Sequence, residues 1–108
     1  EDCVINWENS AIQIHNQVRA LTPQPGAFTG LDGKRVKIFD TSLAENRDII
    51  NTMKALNPGQ ILVTNKQIFV KTGSGMLCVG SIQQEGRKKM LIGSFLRGYK
   101  LKENSYFE

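Results

Sequence analysis

Five short runs of apolar and β-branched residues, separated by turn signals, are the feature that most restricts how this chain can fold. Asp32-Gly33, a dipeptide favoured in two-residue hairpin turns, lies between AFTGL and KRVKIFDT. Asn65-Lys66 separates QILVT from QIFVKT, and the GSG of residues 73–75 leads into MLCVGSIQ. Runs this short are typical of strands, so the pattern predicts a chain dominated by antiparallel β-structure.

One segment before these runs has helical spacing instead. In SAIQIHNQVRAL, residues 10–21, Ser10 can cap a helix and Gln13 completes a capping box. Apolar residues recur every three or four positions, which predicts a buried stripe, and His15 falls on it as a hydrogen-bonded core histidine. The prolines of TPQPG, residues 22–26, end the helix.

These elements predict a mainly β fold, an OB-fold-like, five-stranded antiparallel barrel with an N-terminal α-helix. A β-sandwich is the alternative. The 108 residues suffice for a single domain, 1–108. Residues 44–57 form either a short helix or a long loop that closes at Pro58-Gly59. SFLRG predicts one helical turn with Ser94 as its cap and Gly98 as its C′ residue.

Several classes of protein are disfavoured by composition. Two distant cysteines, Cys3 and Cys78, do not form a disulfide framework, and reduced thiols fit the cytoplasm. One histidine and no CxxC leave no zinc site, and we expect no cofactor in this domain. No apolar run approaches the roughly 20 residues of a membrane span. The acidic start without an initiator Met predicts a piece of a longer protein rather than a signal peptide.

The positive charge is concentrated near the C-terminus. Six cations and no acid lie between Gly86 and Lys102. Without them, eight basic residues remain against ten acidic ones, a net charge of −2 in place of +4. Clusters of this kind are either solvated surface or contacts to nucleic-acid phosphates. The best candidates for RNA contact are the consecutive cations Arg87, Lys88 and Lys89.

Further candidates lie on the predicted strands and the last helical turn. In KRVKIFDT, Arg35 and Lys37 share the face opposite Val36 and Ile38, and they extend a basic surface or form a polar outer face. Lys34, in the turn, is similar. Arg97 binds phosphate or pairs with a carboxylate such as Glu85. Most aromatic residues are interleaved with apolar ones and are predicted core, with Phe69 the least committed to it.

Particular phrases resemble a known family. INW followed by IHNQVRALTPQPGAFT resembles the start of the C-terminal domain of methionyl-tRNA formyltransferase, and DGKRVKI resembles the strand that follows. PGQI, TGSGML and IQQEGRKKM with FLRG match the remaining landmarks in order. The stretch 44–57 matches no motif. RALTPQPGAF also resembles the formyltransferase domain that acts on an amino-sugar nucleotide in lipid A synthesis, so QQEGRKKM with FLRG is the discriminating signature.

The resemblance implies a function that lies partly outside this chain. The family's enzyme transfers a formyl group from 10-formyltetrahydrofolate to the methionine of initiator tRNA, in an N-terminal Rossmann-like catalytic domain with an Asn–His–Asp constellation and an SLLP motif. This chain has no SLLP, and we expect it to be inactive alone. The resemblance implies an OB-fold-like module that binds initiator tRNA on its basic face beside that domain. We expect a monomer.

Two alternatives remain open at this point. The first is an accessory domain of a sugar-nucleotide formyltransferase, which packs on its catalytic neighbour and has no RNA partner. The second is a stand-alone interaction module. Detectable tRNA binding discriminates the first from the tRNA-positioning hypothesis, and the missing initiator Met with the acidic start disfavours the second.

Overall fold

A computed structural model of the chain describes residues 3–102 and 105–108. It is mainly β, with an N-terminal helix, as predicted. The elements in chain order are α1 Ala11–Leu21, β1 Ala27–Leu31, β2 Lys34–Leu43, α2 Arg47–Met53, β3 Ile61–Thr64, β4 Gln67–Lys71, β5 Met76–Gln84, β6 Lys89–Leu91 and α3 Ile92–Gly98.

The strands form one antiparallel sheet in the order β1-β2-β5-β4-β3, with β6 paired to β5. All five predicted runs are strands, but the described sheet has six. The sixth, Lys89–Leu91, is three residues long and too short to give a periodic signal. Since the six described strands belong to one sheet, the β-sandwich alternative is wrong.

The sheet is not closed, because its end strands β1 and β3 do not pair with each other in the described residues. Residues 105–108 lie between them. The amide of Phe107 donates to Gly59 O at 2.8 Å, and that of Glu108 donates to Gly30 O at 2.9 Å. Thr29 Oγ1 also donates to Glu108 O at 2.6 Å. The C-terminal segment therefore bridges the open side of the barrel-like sheet.

The two-residue turns have the backbone that their sequences predict. Asp32 and Gly33 have φ of 52° and 79°, and Asn65 and Lys66 have φ of 51° and 61°. Positive φ at both central positions is the type I′ geometry, whose twist matches that of antiparallel strands. These turns fix the register of the β1–β2 and β3–β4 hairpins.

Helix α1 begins with the predicted capping box. Ser10 Oγ accepts from the Gln13 amide at 3.2 Å, and the Gln13 side chain accepts from the Ser10 amide at 2.9 Å. The stripe of Ala11, Ile14 and Val18 is buried against the sheet. His15, half-buried beside it, shares a hydrogen bond with Thr41 Oγ1 at 2.7 Å, so the expected hydrogen-bonded histidine is confirmed.

A second apolar cluster lies under α2. Of the open alternatives for residues 44–57, the structure has a short helix whose N-cap is Asn46, followed by a loop. Met53 of this helix is fully buried and packs in the same cluster as Phe69 and Met76. Phe69 is therefore a core residue, and the prediction that it is the aromatic residue least committed to the core is wrong. Cys78, at the edge of this cluster, is half-buried, and burial raises the pKa of its thiol.

Helix α3 begins earlier than predicted. Leu91 is its N-cap, so the prediction of Ser94 as cap is wrong, and Gly98 is its last residue rather than a left-handed C′ residue. Phe95 is 1 % exposed and stacks on Tyr99 with ring centroids 4.8 Å apart. Burial of Ile92 and Phe95 against the sheet stabilises this short helix despite the absence of a side-chain cap.

Candidate nucleic-acid interface

A row of side chains crosses the outer face of the sheet from β1 to β6. Phe28 opposes Lys37, Lys37 opposes Gln83, and Gln83 opposes Lys89. Directly opposed residues of adjacent strands project to the same face, so these four side chains share one surface. With strands about 4.8 Å apart, Lys37 and Lys89 are roughly 10 Å apart across Gln83. We call Phe28, Lys37, Gln83 and Lys89 the basic row.

Arg35 extends this row along β2. It lies two residues before Lys37 on the same strand face, and its guanidinium carbon is 4.1 Å from the centroid of the Phe28 ring. This distance is that of a cation–π contact, which ties the guanidinium to Phe28 on the neighbouring strand. Lys34, predicted in the turn, is instead the first residue of β2 and pairs with Leu31. Both cations are exposed.

The β5–β6 hairpin carries the consecutive cations. The strand β5 extends one residue beyond the predicted run MLCVGSIQ, to Gln84, and the chain returns as β6. The turn is ordered by hydrogen bonds to Arg87: its amide donates to Gln84 O at 3.0 Å, and its carbonyl accepts from Gln83 Nε2 at 2.8 Å. Arg87 and Lys88 therefore lie in a hairpin turn attached to the sheet, while Lys89 lies on a strand.

Lys89 differs from its neighbours because it has partners. Its ammonium lies 3.4 Å from Asp40 Oδ2 and 4.7 Å from the centroid of Phe39. The Ser81 hydroxyl donates to the same carboxylate oxygen at 2.7 Å. This hydrogen bond, helped by Lys89 and opposed by partial burial, lowers the pKa of Asp40. Lys89 is thus partly neutralised before any ligand arrives.

The remaining predicted cations divide into two groups. Lys34, Arg35, Lys37, Arg87 and Lys88 have no carboxylate partner in the described residues, where Lys89–Asp40 is the single ion pair. Arg97 lies on α3, and its Nη2 donates to Ser94 Oγ at 3.1 Å. The predicted pairing of Arg97 with Glu85 is therefore absent. The structure brings the first group together on the two neighbouring hairpins.

Two clefts separate these cations. A cleft of 310 Å³ lies between the β1–β2 and β5–β6 hairpins; Lys34, Arg35, Arg87, Asp32, Glu85 and Tyr99 are among its lining residues. A second, of 280 Å³, shares Arg35, Gln84 and Glu85 with the first and adds Lys37 and Gly86. Four of the predicted cations therefore line concave surfaces that also contain acids: Lys34, Arg35, Lys37 and Arg87.

Tyr99 ties α3 to the β1–β2 turn. Its hydroxyl donates a short hydrogen bond to Asp32 Oδ2. This bond, with smaller contributions from burial and the carboxylate charge, raises the pKa of Tyr99 to about 12. The phenol is therefore a neutral donor at neutral pH, and one oxygen of Asp32 is engaged.

Within residues 3–102 and 105–108, no group of three or more His, Cys, Asp or Glu could hold a metal ion. In the same residues, no helix is long and apolar enough to span a membrane. Both cysteines are free thiols.

The formyl transferase C-terminal domain family matches residues 1–100. The chain belongs to this family. Relatives include methionyl-tRNA formyltransferases from Lachnospira eligens, 40 % identical over 90 % of this chain and 31 % of the relative, and from Carboxydothermus hydrogenoformans, 38 % identical over 100 % and 33 %. The predicted resemblance is confirmed. The chain spans about a third of the length of the curated relatives it matches.

The solved structure of HypX from Aquifex aeolicus in complex with tetrahydrofolic acid has a similar fold. It superposes with a TM-score of 0.68 at 19 % identity, over 100 % of this chain and 21 % of that one. At this identity the likeness supports the fold of the formyl transferase C-terminal domain alone.

Sequence reasoning missed the residues that form cation–π contacts or an ion pair with the cations of this formyl transferase C-terminal domain. Phe39 could have been found, since period-two alternation places it on the face of Arg35 and Lys37. Phe28 required the β1–β2 register. Asp40 has φ of 56°, a left-handed backbone that no pattern in the sequence indicates, and its partner Lys89 is distant in sequence.

Proposed function

We propose that this domain binds tRNA on the surface formed by the β1–β2 and β5–β6 hairpins, and positions initiator tRNA for formylation. The observation that supports this proposal is the convergence of Lys34, Arg35, Lys37, Arg87 and Lys88 on one surface without carboxylate partners. The names of the curated relatives supply the kind of RNA, since these are methionyl-tRNA formyltransferases.

The surface suits recognition of an RNA backbone. Phosphate contacts from lysine and arginine supply affinity and strong salt dependence without reading the sequence. Folded RNA helices are recognised mainly by shape and by phosphate and 2′-hydroxyl contacts. Lys37 and Lys89, roughly 10 Å apart on strands separated by β5, would contact separated phosphates rather than a single one.

The domain would contribute to formyl transfer through binding rather than chemistry. We expect the transfer itself, from 10-formyltetrahydrofolate to the amine of methionine, in an N-terminal catalytic domain of the same chain. Binding energy gained far from the reacting atoms reduces the entropic cost of bringing the aminoacyl end to that domain. We expect this activity in the cytoplasm and in a monomer.

The test is direct binding of uncharged initiator tRNA across a salt series, with duplex DNA of matched length as the comparison ligand. Arg87→Ala with Lys88→Ala should weaken binding and reduce the salt slope by about two, one for each phosphate contact. Arg47→Ala with Lys54→Ala, at the first residue and the C-cap of α2, makes the same change in charge and should leave both quantities unchanged.

Two outcomes would count against the proposal. If the two double variants weakened binding equally, the interaction would be a general charge effect rather than a site. If the chain did not bind tRNA at 50 mM salt, the result would favour the accessory role in a sugar-nucleotide formyltransferase over tRNA binding.

A further inference from the structure

The 310 Å³ cleft between the two hairpins differs from a simple phosphate site because apolar and aromatic residues also line it. Leu31 and Val36 line it, and each is only 2 % exposed. Tyr99, which stacks on Phe95, lines it too. The volume is at the small end of ligand-binding clefts, roughly 300–1,000 Å³, and corresponds to about one nucleotide.

The charges around the cleft are mixed. Lys34, Arg35 and Arg87 line it together with Asp32 and Glu85. A site for phosphate alone gains nothing from carboxylates, since each one lowers the local positive potential. The Glu85 side chain has no hydrogen bond or ion pair within the described part of the chain, and one oxygen of Asp32 is free of the Tyr99 bond. Acceptors without partners are therefore present beside the cations.

Arg35 forms a planar wall of the cleft. Phe28 covers one side of its guanidinium at 4.1 Å, which restricts the group to one orientation. Guanidinium planes and aromatic rings are the surfaces on which unpaired RNA bases stack. A ligand that matches the whole cleft combines a flat apolar body, hydrogen-bond donors at one edge and a negative charge.

We propose that this cleft accommodates one unpaired nucleotide of a bound RNA, with a preference for guanine. The base would stack on the exposed side of the Arg35 guanidinium, and Lys34 and Arg87 would contact the adjoining phosphates. Guanine has two adjacent donors, N1–H and N2–H, which one carboxylate accepts together. Uracil offers a single donor on that edge. This inference rests on the proposed function and assigns part of the surface to base recognition rather than to backbone contact.

The test compares two single-stranded hexaribonucleotides, all-uridine and the same with one central guanosine, in titrations of the 108-residue chain. We expect the guanosine-containing hexamer to bind roughly fivefold more tightly, the lower end for one good bidentate contact. The amide resonances of residues 31–36 and 84–87 should shift most. 5′-GMP and 5′-UMP, titrated separately, distinguish a nucleotide within RNA from a free one.

Glu85→Gln is the decisive variant because two models of the Glu85 side chain predict different results for the affinities of the two hexamers. If Glu85 accepts from the base, the substitution reduces the guanosine preference toward one. If Glu85 is merely a repelling charge, the substitution strengthens binding of both hexamers equally. Asp40→Asn, which removes a carboxylate outside the cleft, is the control and should strengthen both hexamers while the preference stays.

Equal affinity for the two hexamers, or an unchanged ratio in Glu85→Gln, would overturn the proposal. Discrimination between 5′-GMP and 5′-UMP without hexamer binding would overturn its RNA part. Titration of initiator tRNA on the same samples separates this inference from the proposed function. If tRNA binding depended on Arg87 and Lys88 but the two hexamers bound equally, the proposed function would be supported and the guanine site would be refuted.

Discussion

Two rows of side chains cross the outer face of the same sheet and differ in what covers them. The basic row, Phe28, Lys37, Gln83 and Lys89, lies open to solvent at one end. At the other end the register aligns Leu62 with Phe69 and Phe69 with Cys78, and we call these three the apolar row. Helix α2 covers the apolar row through Met53.

The comparison shows that strand alternation determines which residues share a face but not whether that face is open. Phe69 alternates with Ile68 and Val70 just as Lys37 alternates with Val36 and Ile38. The difference lies in a segment distant in sequence, 44–57, which folds over one end of the sheet only. The basic row has no such cover among the described elements and remains available for a ligand.

The largest expected effect comes from breaking the covered end. Phe69→Ala removes a ring that is 7 % exposed and leaves a cavity under α2. We expect a loss of about 3–5 kcal/mol in the free energy of unfolding, measured by chemical denaturation. Phe69→Leu, which keeps most of the volume, should cost less. A loss below about 1 kcal/mol for Phe69→Ala would mean that α2 does not seal this face.

An intermediate effect is expected at the centre of the open end. Lys37→Ala should leave the free energy of unfolding nearly unchanged, and should weaken tRNA binding with a reduction of about one in the salt slope. Lys54→Ala, an equal charge change at the C-cap of the helix that covers the apolar row, should not alter the slope. Equal slopes for these variants would argue that the basic row is solvated surface.

The smallest effect concerns the ion pair at the edge of the basic row. The pKa of Asp40 is lowered in the folded state, so its contribution to stability is present above the unfolded value, near 3.8, and disappears as pH falls through the folded value. With both side chains about half exposed, the contribution is roughly 0–1 kcal/mol.

Asp40→Asn should therefore lower the free energy of unfolding slightly at pH 7 and by less below about pH 4. It should also strengthen tRNA binding, because Lys89 loses its carboxylate partner. Glu45→Gln, an exposed acid before α2, is the control in both measurements. A destabilisation that persisted unchanged to pH 2 would show that the effect is not electrostatic.

The sequence was informative where local chemistry dominates. A two-residue type I′ turn requires positive φ, which Asp32, Gly33 and Asn65 tolerate, so the two hairpins and the alternation of Arg35 with Val36 followed directly. The capping box at Ser10 fixed the start of α1 in the same way.

The remaining features depend on contacts distant in sequence. β6 forms because Ile82 and Gln83 are available to pair with Met90 and Lys89, and three residues carry no period of their own. α3 begins at Ile92 because burial of that side chain outweighs the capping preference of Ser94. The sequence identified the cations of the candidate site. It could not show which of them are paired, since Asp40 contacts Lys89 only in the folded sheet.

The bridging segment 105–108 has a consequence for how the domain is made. Thr29 and Glu108 are hydrogen-bonded across 79 positions of the chain. Cys3, made before β1, accepts from the amide of Phe28 at 2.8 Å, whereas Glu108, which accepts from the amide of Gly30, is added long after the β1–β2 hairpin is complete. Until then this part of the edge of β1 is exposed with an unsatisfied amide, the kind of edge that recruits other chains. Synthesis of residues 105–108 therefore completes the pairing that protects this edge of the nascent domain from such association.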